Sequence, residues 1–201
     1  MINVALAGLG TGLSLIVAIG AQNSFVLRQG IRREQVAVIV LICAGADALL
    51  ITLGVAGFGA IVRSAPVALS VIRWSGIAFL LVYAILALRR CVQPRKTDLQ
   101  SASSTLTFGA AVSICLALTF LNPHVYLDTM ILLGALANSY GQSNRWWFGG
   151  GAIIASFLWF CGLGFGSRLL EPIFASPIAW RMLDGLIALV MLAVALMLAL
   201  S

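Results

Sequence analysis

The sequence predicts an all-α polytopic membrane protein of about six transmembrane helices, arranged as two inverted three-helix repeats with helices one and four interrupted. Three observations carry this prediction. The chain is 62% hydrophobic and only 9% charged over 201 residues, with a mean hydropathy of +1.09, whereas a soluble domain is about 25% charged. A soluble fold of this length would still expose roughly a third of its chain's surface, which this composition cannot supply in polar form. A soluble enzyme, a nucleic-acid module and a disordered segment are excluded on that ground. The charges that exist fall in short clusters between long apolar runs. Finally, Gln22-Asn23 and Asn122-Pro123 interrupt apolar segments at corresponding places in the two halves.

A spanning helix needs about 20 mostly apolar residues, and segments 3–27, 35–62, 67–88, 105–137, 147–166 and 183–200 qualify. The first carries no charge, and no basic residue precedes Arg28, so it reads as a span and not as a cleaved signal peptide. The second holds one charge, Asp47, and the third holds Arg73 near its end, where the side chain can snorkel. The fourth is too long for one straight crossing and has Asn122-Pro123 at its middle. Proline removes a backbone donor and clashes with the preceding turn, so the helix breaks there. A broken helix at membrane depth is stable only when buried in protein or lining a cavity. The last two spans are read as uncharged, with Asp184 assigned to the loop charges of 168–184. The whole chain, 1–201, reads as one transmembrane domain: repeat one over about 1–90, a loop over about 89–104, and repeat two over about 105–201.

Loop charge sets orientation. Arg28, Arg32 and Arg33, then Arg89, Arg90, Arg95 and Lys96, then Arg168 and Arg181 fall in alternate loops, nine basic residues against three (Arg63, Arg73, Arg145) in the others. The nine are expected to face the cytoplasm, which with six spans leaves both termini outside. Should one segment fail to cross, the N-terminus moves inside. The formal charge of +6 therefore reflects membrane orientation and not a nucleic-acid partner. The glycine clusters Gly8-Leu9-Gly10-Thr11-Gly12 and Gly162-Leu163-Gly164-Phe165-Gly166 allow close helix approach. Packing within the chain is the expected use, with a homodimer face as the alternative. Cys43, Cys91, Cys115 and Cys161 show no CxxC spacing, so neither a metal, a cofactor nor a disulfide framework is expected.

Two acidic residues, Asp47 and Asp128, stand apart from the loop clusters, well inside predicted spans. An ionisable group at mid-membrane costs at least about 2.5–3.5 kcal/mol and ordinarily faces a cavity, a partner or an ion path. With no Arg or Lys read deep in any span, the missing partner is expected to be a cationic substrate or a proton. Paired interruptions in corresponding helices point to a transport site at the midplane. There Gln22, Asn23 and Asn122 offer side-chain donors and acceptors beside unwound backbone. His124, the single histidine, is a candidate proton relay or a hydrogen-bonded strut beside Pro123. One histidine, two buried carboxylates and no HExxH argue against a membrane enzyme.

The runs Gly20-Ala21-Gln22-Asn23-Ser24-Phe25-Val26-Leu27-Arg28-Gln29-Gly30, Gly45-Ala46-Asp47 and Leu121-Asn122-Pro123-His124-Val125-Tyr126-Leu127-Asp128 resemble the LysE/ArgO family of basic amino-acid exporters. The resemblance extends over most of the chain in length, order and spacing. Gly-Ala-Gln-Asn stands where the related threonine/homoserine branch has Pro-Gly-Pro-Asn, which favours the lysine/arginine branch. The resemblance implies efflux of L-arginine or L-lysine across a bacterial inner membrane, with Asp47, Asp128 and Pro123 as the important intramembrane positions. On that basis the substrate's amino and carboxyl groups are expected to meet Gln22, Asn23, Asn122 and free backbone. Its cationic end is expected to meet Asp47, with Asp128 as a second acidic partner, and protons are the expected coupling ion. Export of neutral amino acids or of a metal cation, and a non-transporting assembly subunit, are the alternatives.

Overall fold

The computed structural model describes residues 1–17, 20–59, 66–92, 106–170, 172 and 176–200. Among them every regular element is helical. The helices are α1 (Ile2–Ile16), α2 (Ala21–Arg32), α3 (Val36–Val55), α4 (Pro66–Val92), α5 (Phe108–Phe120), α6 (Pro123–Ser139), α7 (Arg145–Gly166, extended by a 3-10 turn, Ser167–Leu170) and α8 (Pro177–Leu200). The helices α3, α4, α7 and α8 are long and apolar enough to span a membrane individually. The pairs α1/α2 and α5/α6 each qualify as one bent span, with bends of 85° and 60°. Six spans, the first and fourth interrupted, are thus accommodated. Large apolar side chains such as Val82, Leu158, Leu189 and Leu196 face outward, as helices bathed in lipid do. The chain is a multi-pass membrane protein.

Each break is held by a side chain from beyond it. A helix end leaves carbonyls without intrahelical partners. Asn23 on α2 donates its Nδ2 to the Ile16 carbonyl at the end of α1, at 2.8 Å. Tyr126 on α6 donates its hydroxyl to the Phe120 carbonyl at the end of α5, at 3.0 Å. Restarting the helix uses standard capping chemistry. Gly20 takes extended backbone as N-cap of α2. Asn122 caps α6 by accepting from the His124 amide at 3.1 Å, and Pro123 occupies the first helical position, where its missing N–H is no loss. Within α6 the stretch Tyr126–Leu132 is a π-helix.

Three boundaries depart from the sequence reading. The first apolar run, expected as 3–27 with its interruption at Gln22-Asn23, is instead divided between Ile16 and Ala21, so that Gln22 and Asn23 are helical residues just after the break, and its second half continues to Arg32. Arg28 is therefore a buried helical residue and not a loop charge. The helix α8 starts at Pro177, so Asp184 lies inside it and is buried, not in a loop. Arg63, Arg95, Lys96, Asp98 and Glu171, with most of the expected loop 89–104, lie outside the described residues.

Close backbone contacts set the packing. The helix α1 lies along α7, α4 along α8, and α3 against α7, α5 and α6. Gly8 faces the Phe148 backbone, Gly12 faces Ala152 and Ala155, and Gly151 faces Ala5. A Cβ at Gly8 or Gly151 would overlap the opposite main chain, so these glycines permit the α1–α7 contact. Gly54 of α3 and Gly134 of α6 meet in the same way.

Candidate substrate site

The two breaks and the middle of α3 line a half-open cavity of about 250 Å³, below the 300–1,000 Å³ typical of drug-sized pockets and suited to a small solute. Its polar lining consists of Gln22, Asn23, Asp47, Asn122, His124 and Asp128, with Thr129 beside them. Leu15, Phe160 and Met197 contribute apolar wall. Every polar residue singled out from the sequence thus reaches one cavity. Pro123 is buried but is not part of the lining; it starts α6 and so sets where Asn122 and His124 stand.

The cavity is acidic, and its two carboxylates differ. Asp47 is 4% exposed and accepts a hydrogen bond from the Ser156 hydroxyl of α7 at 2.8 Å. One neutral donor satisfies part of a carboxylate and cancels none of its charge. Among the described residues no arginine or lysine forms an ion pair with Asp47 or Asp128. Asp128 is half-buried on the π-helical stretch of α6, and His124 lies within its electrostatic reach. The π-turns common at functional sites re-aim side chains, and here one carries Asp128 to the cavity.

The amides divide between bracing and availability. Asn23 is engaged at both ends: its Nδ2 serves Ile16, and its Oδ1 accepts from the Trp159 indole at 3.2 Å. Asn122 Oδ1 is taken by the cap of α6. His124 Nε2 is buried beside the cavity with no hydrogen-bond partner among the described residues, and Gln22 Nε2 has only the Cys43 thiol near it. Buried polar atoms of this kind are ordinarily satisfied, so these two are the atoms best placed for a solute. Ser156 and Trp159 escaped the sequence reading, because a serine or tryptophan in an apolar span carries no distinctive signal. Among the described residues no group of three or more His, Cys, Asp or Glu could hold a metal ion.

A second charged cluster was also missed. Arg28 of α2 donates to the Asp184 carboxylate of α8, and Arg90 of α4 donates to the same oxygen at 3.3 Å. Arg28 and Asp184 are 4% and 2% exposed.

Bent spans meeting at a half-open, acidic cavity large enough for a small solute are the arrangement of broken-helix transporters. The family described as LysE type translocator matches residues 13–201, and the chain belongs to that family. It is 51% identical over 183 residues to a Mycobacterium tuberculosis protein named as a candidate amino-acid transporter, covering 91% of this chain and 90% of that one. It is 38% identical to the arginine exporter protein ArgO of Salmonella schwarzengrund, covering 99% and 94% of the two chains. It is 34% identical to the lysine exporter LysE of Corynebacterium diphtheriae, covering 94% and 96%. No solved structure matches the chain. The chain is a member of an amino-acid exporter family.

Proposed function

We propose that this protein exports basic L-amino acids, arginine and/or lysine, across the bacterial inner membrane in exchange for protons. The observation that carries the reading is a pair of carboxylates, Asp47 and Asp128, lining one cavity without an ion-pair partner among the described residues. An acidic cavity of this kind rewards a cation and penalises an oxyanion. The similarity to a lysine exporter and an arginine exporter points the same way.

In this reading the guanidinium or ammonium of the substrate pairs with Asp47, and Asp128 is the second acidic contact. Gln22 and His124 supply donors to the carboxylate end, while Asn23 and Asn122 line the site and hold the breaks in place. Expelling one positive charge against an inside-negative potential costs about 2.3 kcal/mol per 100 mV. An incoming proton makes the cycle electroneutral. A buried carboxyl can serve both, since it takes either a proton or a cation but does not stay charged and alone.

The chain acts as one domain of two inverted repeats, split near residues 89–104. Reciprocal packing supports this: α1 packs on α7 as α5 packs on α3, while α3 pairs with α7 and α4 with α8. Alternation is a rocking of one repeat on the other about the Ile16–Ala21 and Leu121–Pro123 breaks. The basic helix ends and turns, including Arg32, Arg33, Arg89 and Arg168, face the cytoplasm. The test is counterflow of labelled arginine into proteoliposomes preloaded with unlabelled arginine, lysine, threonine or leucine. Uptake driven by arginine or lysine alone is expected; equal uptake with threonine or leucine would overturn the substrate class.

A further inference from the structure

The buried cluster of Arg28, Asp184 and Arg90 lies to one side of the cavity. Arg28 is five residues beyond the lining residue Asn23 on α2, and Asp184 is ten residues before the lining residue Val194 on α8. At 1.5 Å per residue these are displacements of about 8 and 15 Å along the two helices. Both point toward the ends that the proposed orientation turns to the cytoplasm. Around the ion pair Phe25 meets Tyr83 edge-on at 6.5 Å, and the Arg90 guanidinium sits 5.8 Å above the Tyr83 ring. Phe25 is fully buried. Together these side chains tie α2, α4 and α8 together between the cavity and that face.

The cluster is an unusual way to close a membrane protein. Two guanidinium groups share one carboxylate, and Arg90 Nη2 is buried without a hydrogen-bond partner among the described residues. A well-packed apolar pair commonly gives equal or greater stability than a buried ion pair. What an ion pair adds is exchangeability, because its acidic member accepts any cation of suitable shape.

We propose that the Arg28–Asp184 pair is the inner gate of the cavity and that Asp184 makes the gate selective for cations. A cargo guanidinium or ammonium arriving from the cytoplasmic side takes the place of Arg28 on Asp184. The displaced Arg28 is then repelled by both Arg90 and the cargo, and α2 parts from α8. A neutral solute cannot make that exchange. This inference rests on the transport and orientation proposed above.

The experiment uses the full chain with its four cysteines replaced by alanine and Val194→Cys as reporter, in proteoliposomes and inverted membrane vesicles. A membrane-impermeant maleimide is applied from the cytoplasmic face, with and without arginine. With the native pair, arginine is expected to raise labelling at least fivefold. In Arg28→Gln/Asp184→Asn, labelling is expected to be high without arginine. Arg28→Met/Asp184→Leu keeps the contact apolar and guards against loss of folding. It is expected to reach the membrane at normal abundance, to resist labelling with or without arginine, and to retain under a tenth of arginine flux. Arginine flux and arginine-responsive labelling in that apolar variant equal to those of the native pair would overturn the gate while leaving the export reading intact. Absence of arginine flux with the native pair would instead strike the export reading. The arginine-independent labelling of Arg28→Gln/Asp184→Asn would still judge the gate.

Discussion

The Ser156 hydroxyl donates to the Asp47 carboxylate at 2.8 Å across the α3–α7 contact, and Ser156 itself is fully buried. A donor so placed fixes the carboxylate's direction without neutralising it. Ser156→Ala is therefore expected to leave the charge and loosen its aim. A hydrogen bond to a charged group is worth about 1.5–3 kcal/mol, so arginine affinity should fall roughly ten- to a hundredfold with the maximal rate less affected. Initial-rate efflux at several internal arginine concentrations separates the two effects; an unchanged half-saturation concentration would contradict this role.

Bracing of the breaks is testable at Tyr126. Tyr126→Phe removes the donor to the Phe120 carbonyl with little change of shape. Leaving a fully buried carbonyl unsatisfied costs about 1–3 kcal/mol, and the part-buried Phe120 carbonyl should lose the lower end of that range. Thermal unfolding in detergent should register a lower midpoint, and transport should fall with it. An unaltered midpoint would mean that the Phe120 carbonyl does not depend on this donor.

Pro123 makes a different prediction. It is buried, starts α6 and does not line the cavity, so Pro123→Ala should act through the backbone alone. The alanine allows the helix to run on through Asn122, which would carry His124 and Asp128 away from the site. Export is expected to drop at least tenfold at normal membrane abundance; full activity would show that the Asn122 cap alone maintains the break.

The glycines of α1 offer a paired test. Gly8 abuts the Phe148 main chain, whereas nothing lies within 4 Å of a Cβ at Gly10. Gly8→Val should destabilise by about 1–3 kcal/mol or more through overpacking, while Gly10→Ala should be neutral or stabilising by up to about 1 kcal/mol. Thermal midpoints of the two variants in detergent check the contrast, and equal midpoints would contradict the α1–α7 packing.

Much of this arrangement is legible in the sequence, for physical reasons that also explain the omissions. Apolar length located the spans because a bilayer tolerates few charges within them. Asp47 and Asp128 stood out because each is solitary in such a run. Pro123 announced the second break, since its ring forbids a continuous helix. The first break has no proline. It depends on the extended backbone of Gly20 and the reach of Asn23 back to Ile16, contacts that spacing alone does not reveal. Arg28 and Asp184 were hidden by position: charges at the edge of an apolar run read as solvated, and only the packing of α2 on α8 brings them together. Ser156 and the π-helical turn around Asp128 were invisible for want of any compositional signal.

The central claim is that Asp47 alternates between a proton and a cationic substrate. Arginine-driven proton flux in proteoliposomes, read with an internal pH dye, tests it most directly with native protein and Asp47→Asn side by side. The account predicts that an imposed arginine gradient drives protons in the opposite direction through the native protein, and that Asp47→Asn abolishes both fluxes. Undiminished arginine-driven proton flux through Asp47→Asn would contradict it.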